Sequence, residues 1–263
     1  MNLLKTLRKS YFAIYLASLI LFVSCSQYDN TSNLESYSKK NRILTDNQIL
    51  EIGIGHNTNL TELFSNNPQN LNDVTEKTLK IYSEKGLNNK ILNDYFSNVD
   101  KMNTNFLVDL IDNNKNNFVN SKLLTKKIIE IKGLNSIDLL KEHEKITREQ
   151  LEGIDLDLYL VLSTVYQYST EFWNEYIPKH KGLSERLLTK NNLALRTQPG
   201  WVEADGISAA IGFVTIAFAF AAISAVGIAT GGAGIIPTVG IVAGLLEISA
   251  QSTLASIYAA IKK

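Results

Sequence analysis

The chain has a single cysteine, Cys25, among 263 residues. With no second thiol it forms no internal disulfide, so an oxidising compartment gives it no covalent staple. It also lacks an excess of either charge, with 26 basic and 26 acidic residues. That balance argues against the basic surface that nucleic acid requires. Long runs of strict apolar–polar alternation are missing, which argues against a sheet. Gly53-Ile54-Gly55 has no preceding strand and no third glycine, so it is no dinucleotide fingerprint. The three histidines, His56, His143 and His180, do not pair at metal-ligand spacing. There is no nucleophile elbow and no phosphate loop. The sequence therefore predicts no catalytic residue, no cofactor and no metal, and the chain reads as non-enzymatic.

What is present begins at the N-terminus. Lys5, Arg8 and Lys9 are followed by the uncharged apolar stretch Tyr11 to Val23 and the small residue Ser24. This is the layout of a secretory signal. Leu21-Phe22-Val23-Ser24-Cys25 resembles a bacterial lipobox, with Phe22 where Leu is commoner. The resemblance implies lipidation of Cys25 after cleavage of residues 1–24, and a protein anchored in the cell envelope. Ser26 after the cysteine favours the outer membrane or surface display by analogy with sorting rules. The alternative is a free thiol beside an N-terminal anchor, but thirteen apolar residues fall short of the roughly 20 that a bilayer span needs. Cleavage removes three basic residues and no acid, leaving a mature chain of net charge −3.

Residues 25–44 read as a flexible tether, because Ser26 to Asn41 are Ser/Asn/Tyr/Lys-rich. Residues 45–178 carry helical periodicity. Thr45 is expected to cap a short helix ending near Gly53. A second helix is expected over Val74 to Glu84, and a long amphipathic one from Ile91 to Ile111. Another covers Ser121 to Lys132. Thr147 and Gln150 form a capping-box pair ahead of a helix that Pro178 closes. Residues 179–205 read as a connector, with a turn at Pro199-Gly200. Trp201 after it suits either a membrane interface or packing on the domain. The fold class is all-α, a helical bundle with an apolar, Gly-rich C-terminal helical hairpin.

That hairpin, residues 206–263, is the second strong signal. Between Asp205 and Glu247 lie 41 residues without a charge and with eight of the 15 glycines. Ile207 to Ala229 is long enough to span a bilayer as a transmembrane helix. The second arm, Ile235 to Ile261, carries Glu247 near its middle, which is costly in lipid unless paired. Gly227 with Gly231, and Gly240 with Gly244, are GxxxG pairs of the glycine-zipper kind that let helices approach closely. Membrane contact through residues 207–261, or a homo-oligomer, is expected; the alternative is a hairpin buried in the bundle.

Among polar residues, His56 follows two glycines and precedes Asn57. The pattern fits a tight turn that aims the imidazole, or a helix C-cap with a structural histidine; the second is preferred. His143 lies in Lys141-Glu142-His143-Glu144-Lys145 and reads as a solvated helix end. Asp155 and Asp157, two apart on a helix, face different sides. Gly53-x-x-His56-Asn57-x-x-Leu60, the helical middle and the Gly/Ala-rich tail together resemble a family of uncharacterised bacterial lipoprotein-like proteins. The tail resembles the Gly-rich helical hairpins of bacteriocin-like peptides. The resemblance implies no catalytic residue; it adds a bacteriocin-like, membrane-permeabilising protein as an alternative.

Overall fold

The computed structural model describes residues 41–65, 71–85, 103–134, 136–179, 199–229, 248 and 252–253. Every regular element among them is helical: α1 (Asp46–Ser65), α2 (Leu71–Glu84), α3 (Thr104–Asn113), α4 (Ser121–Ile131), α5 (Ile137–Arg148), α6 (Gly153–Lys179) and α7 (Pro199–Ala229), with a 3-10 turn at Lys115–Asn117. The all-α class is correct.

α6 is the axis. Leu158, Tyr159, Leu160, Val161, Leu162 and Val165 are all buried, on every side of the helix. A helix that is apolar all round is covered all round, and α1, α4, α5 and α7 pack against it. α2 rests on α1, and α3 on α4 and α7. A cage of Phe64, Phe172 and Trp173 joins α1 to the C-terminal half of α6, with edge-to-face ring contacts at 5.2 and 5.6 Å.

Local chemistry fixes the helix starts. Thr45 and Gln48 form a reciprocal capping box, Gln48 N donating to Thr45 Oγ1 (3.3 Å) and Thr45 N to Gln48 Oε1 (2.8 Å). Asn103, Asn120 and Ser136 cap α3, α4 and α5 through their side-chain oxygens. Gly153 opens α6 at φ 59°, a left-handed conformation that suits glycine.

Several sequence expectations need correction. α1 does not stop at Gly53 but runs to Ser65, which puts His56 in mid-helix. The helix expected from Ile91 to Ile111 does not run through Asn103, which has extended φ/ψ and starts α3 afresh; residues 91–102 lie outside the described residues. Thr147 does not cap α6. It sits inside α5 and donates to the His143 carbonyl at 2.7 Å. Pro199 is the first residue of α7 and marks no turn, because proline suits the first helical position.

The C-terminal segment differs most. Where the sequence makes Ile207 to Ala229 a spanning arm, α7 lays Ile207, Ala209, Ala210, Ile211, Phe213, Val214 and Ala217 into the bundle core. Ile248 belongs to the same core, and Ser252 and Thr253 are buried. Among the described residues, no helix is long and apolar enough to cross a membrane. Gly227 falls near the end of α7. Cys25, Gly231, Gly240, Gly244, Glu247 and the body of the second arm lie outside the described residues.

Candidate functional site

Two glycines bring the central polar cluster together. At Gly53, a Cβ would stand 2.5 Å from Tyr168 Cδ2 and 2.9 Å from Thr164 Cγ2. At Gly206 it would meet the Leu162 carbonyl oxygen at 3.2 Å and Tyr166 Cδ2 at 3.3 Å. So α1 and α7 each press on α6 at a glycine. The next turn of α1 then presents His56, and the residue before Gly206 is Asp205. His56, Asp205 and Ser169 are all fully buried.

His56 Nε2 lies 3.1 Å from Asp205 Oδ2, and Ser169 Oγ donates to the same oxygen at 2.5 Å. His56 Nδ1 lies 2.9 Å from Asn57 Oδ1. The Asn57 amide is oriented by its own donation to the Tyr168 carbonyl at 2.9 Å, which leaves its oxygen facing the ring. Both ring nitrogens therefore face acceptors.

The grouping contains Ser, His and Asp but is not wired for acyl transfer. There the histidine takes the serine proton and the acid sits behind it. Here the acid sits between, and both imidazole nitrogens are engaged elsewhere. The arrangement ties α1, α6 and α7 to one another. Neither the turn nor the helix C-cap expected around His56 exists, because the residue lies inside α1. Asn57 also lines a shallow open groove of about 450 Å³ with Ile54, Thr58, Thr61, Glu62 and Tyr168.

A second tie on α7 is closer to solvent. Glu203 accepts from Thr104 Oγ1 at 2.5 Å and pairs with Lys132 Nζ at 2.8 Å.

The other end of α6 carries the two aspartates, and they do face different sides. Asp155 accepts from the backbone N–H of Val119 (2.9 Å) and Asn120 (2.6 Å). Asp157 accepts from the N–H of Ile43 (2.5 Å) and Leu44 (3.0 Å), and from Arg42 Nε (2.6 Å). Burial pushes both carboxyls above their ordinary range, against the downward pull of these donors. Arg42 reaches on to Asp46, which also meets Arg148.

His143 is no solvated helix end. Its Nδ1 lies 2.6 Å from the Tyr159 hydroxyl and its Nε2 3.2 Å from Glu130 Oε2. Burial drives the Tyr159 phenol well above its ordinary value, and that of Tyr166 up to about 12. Nearby, Glu144 accepts from Ser163 and Gln167, both at 2.8 Å. Among the described residues, no three His, Cys, Asp or Glu side chains are grouped to hold a metal. His180 lies outside the described residues.

Sequence reasoning missed Asp205 and Ser169 as partners of His56. The available signal was an Asp-Gly pair at the polar border of an apolar segment. No protein-family model matches the chain, no curated protein matches it, and no solved structure matches it.

Proposed function

We propose that this chain is a non-enzymatic, lipid-tethered protein of the bacterial cell envelope whose helical domain keeps an apolar C-terminal segment packed in its core. The burial of Ile207, Ala209, Ala210, Ile211, Phe213, Val214 and Ala217 on a helix packed against α6, with Ile248, Ser252 and Thr253, carries the reading. The lipobox-like Cys25 supplies the anchor, outer membrane or surface favoured, and residues 26–41 the tether. The tether enters the fold at Arg42, Ile43 and Leu44, which Asp157 pins to the central helix. Tension from the anchor would therefore act on α6. The non-enzymatic part is supported by the wiring of His56, whose ring nitrogens are both engaged away from the Ser169 hydroxyl.

A second reading is that the stored segment leaves the core to contact membrane or another copy of the chain, a bacteriocin-like use being its extreme form. The uncharged 41-residue window with its eight glycines favours it. Each glycine costs a soluble helix about 1 kcal/mol relative to alanine, a heavy burden for an ordinary core. The neutral charge balance argues against nucleic acid as a partner.

Mass spectrometry of the mature protein should find an acylated Cys25; an unmodified Cys25 at a mature N-terminus contradicts the anchor. Flotation of Cys25→Ala protein lacking residues 1–24 tests the rest. Packed storage predicts that it stays soluble and monomeric without vesicles. Material that needs detergent to stay in solution contradicts storage.

A further inference from the structure

We propose that the buried His56–Asp205 pair is a latch that decides whether α7 stays in the bundle. The inference rests on the reading that the face of α7 carrying Ile207, Ala210, Ile211, Val214 and Ala217 is stored in the core. α7 packs chiefly on α6 and to a lesser extent on α3. Asp205 joins it to α1 through His56 and to α6 through Ser169, and it stands two residues before the apolar face begins. Asp205 is fully buried, whereas the other acid of this turn, Glu203, pairs with a half-exposed lysine.

A buried hydrogen-bonded contact adds only modest net stability, yet leaving one of its partners unsatisfied is strongly destabilising. A contact of that kind suits a device with two arrangements, since it is silent when complete and disruptive when broken. The surrounding geometry restricts the damage to one helix. Gly53 and the Phe64–Phe172–Trp173 cage hold α1 to α6 independently of Asp205. The aspartates at the far end of α6 hold the segments before α1 and α4. Loss of the pair therefore loosens α7 and leaves α1, α4, α5 and α6 assembled. The uncharged face that α7 then uncovers has the composition of a lipid-contacting surface.

The test compares Asp205→Asn with wild type, both carrying Cys25→Ala and lacking residues 1–24. Amide hydrogen exchange without lipid is the first readout. The latch predicts exchange at residues 207–217 faster by about 100-fold or more, the change expected on breaking a buried pair. Residues 158–165 should stay protected and helical circular dichroism should be retained. Ser169→Ala, which keeps the His56–Asp205 contact and removes one donor, should give a smaller increase confined to the same residues. Glu203→Gln, which breaks the outer tie, should leave 207–217 within about threefold of wild type. Uniform loss of protection in both Asp205→Asn and Ser169→Ala, or unchanged exchange at 207–217 in Asp205→Asn, overturns the latch.

The second readout is flotation on phosphatidylethanolamine–phosphatidylglycerol vesicles. With 207–217 selectively opened, Asp205→Asn should float while wild type does not. Selective opening without flotation leaves the latch standing and contradicts release to membrane. Flotation of wild type equal to the variant overturns the latch as the control of release.

Discussion

The two ends of α6 use buried acids in opposite ways. At the N-terminal end, Asp155 and Asp157 accept from backbone N–H groups of arriving segments, Val119 and Asn120 on one side, Ile43 and Leu44 on the other. At the C-terminal end, Asp205 meets two side chains, His56 and Ser169. A backbone donor cannot rotate away or change its charge. A contact between side chains is lost when either one is replaced. The first end thus holds the segments that lead into α1 and α4, and the second is a side-chain contact that a single substitution breaks.

Substitutions can break this contrast. The largest effect is expected for Asp157→Ala, which strands two backbone donors and Arg42 at once. Removing the buried acid leaves two backbone donors and a part-buried arginine without their acceptor, at a cost of about 3–5 kcal/mol, read by urea denaturation as a global loss. A loss confined to residues 41–46 would make Asp157 a local cap instead of an anchor. Asp155→Ala, with two backbone donors and no arginine, should cost about 2–3 kcal/mol in the same assay. An Asp155 effect larger than that of Asp157 would reverse the proposed order. Gly53→Ala should cost about 1–3 kcal/mol through overpacking, because its Cβ would collide with Tyr168 and Thr164. A neutral Gly53→Ala would show that α1 does not need its close approach to α6.

Titration separates the anchor further from the surface. The folded Asp155 carboxyl is raised by burial, so its stability contribution falls as pH rises from the ordinary carboxylate value through the folded one. Asp155→Asn should therefore lose that slope, and its deficit against wild type should shrink as pH rises from about 4 towards 7. Asp46 is lowered, first by its hydrogen bond from Arg42, so its contribution is present above the ordinary value and lost as pH falls through the folded one. The smallest effect is expected for Arg148→Ala, whose surface contacts with Asp46 and Glu144 are worth about 0–1 kcal/mol each. A cost well beyond that range would place Arg148 in the anchor.

Much of this architecture is legible in sequence, and the gaps have physical causes. Three-and-four spacing of apolar residues marks α4 and α6, and two-residue spacing sends Asp155 and Asp157 to different sides. Gly53 misleads because a helix-interior glycine and a helix-ending one look alike locally. What distinguishes them is Tyr168, far along the chain, whose ring fills the space a Cβ would take. His56 reads as structural for want of local partners, but Asp205 and Ser169 reach it only through tertiary packing. Apolar residues on α7 carry no mark of their surroundings: a uniformly apolar helix looks the same whether protein or lipid covers it.

Covering by protein is therefore the central claim, and native-state hydrogen exchange of the wild-type protein lacking residues 1–24, in water without detergent, tests it most directly. Amides 207–217 are predicted to be protected to a similar degree as amides 158–165 of α6, because both lie in one core while the His56–Asp205 contact is intact. Exchange of 207–217 at unprotected rates while 158–165 remain protected would contradict it, showing that the apolar helix is not held in the bundle.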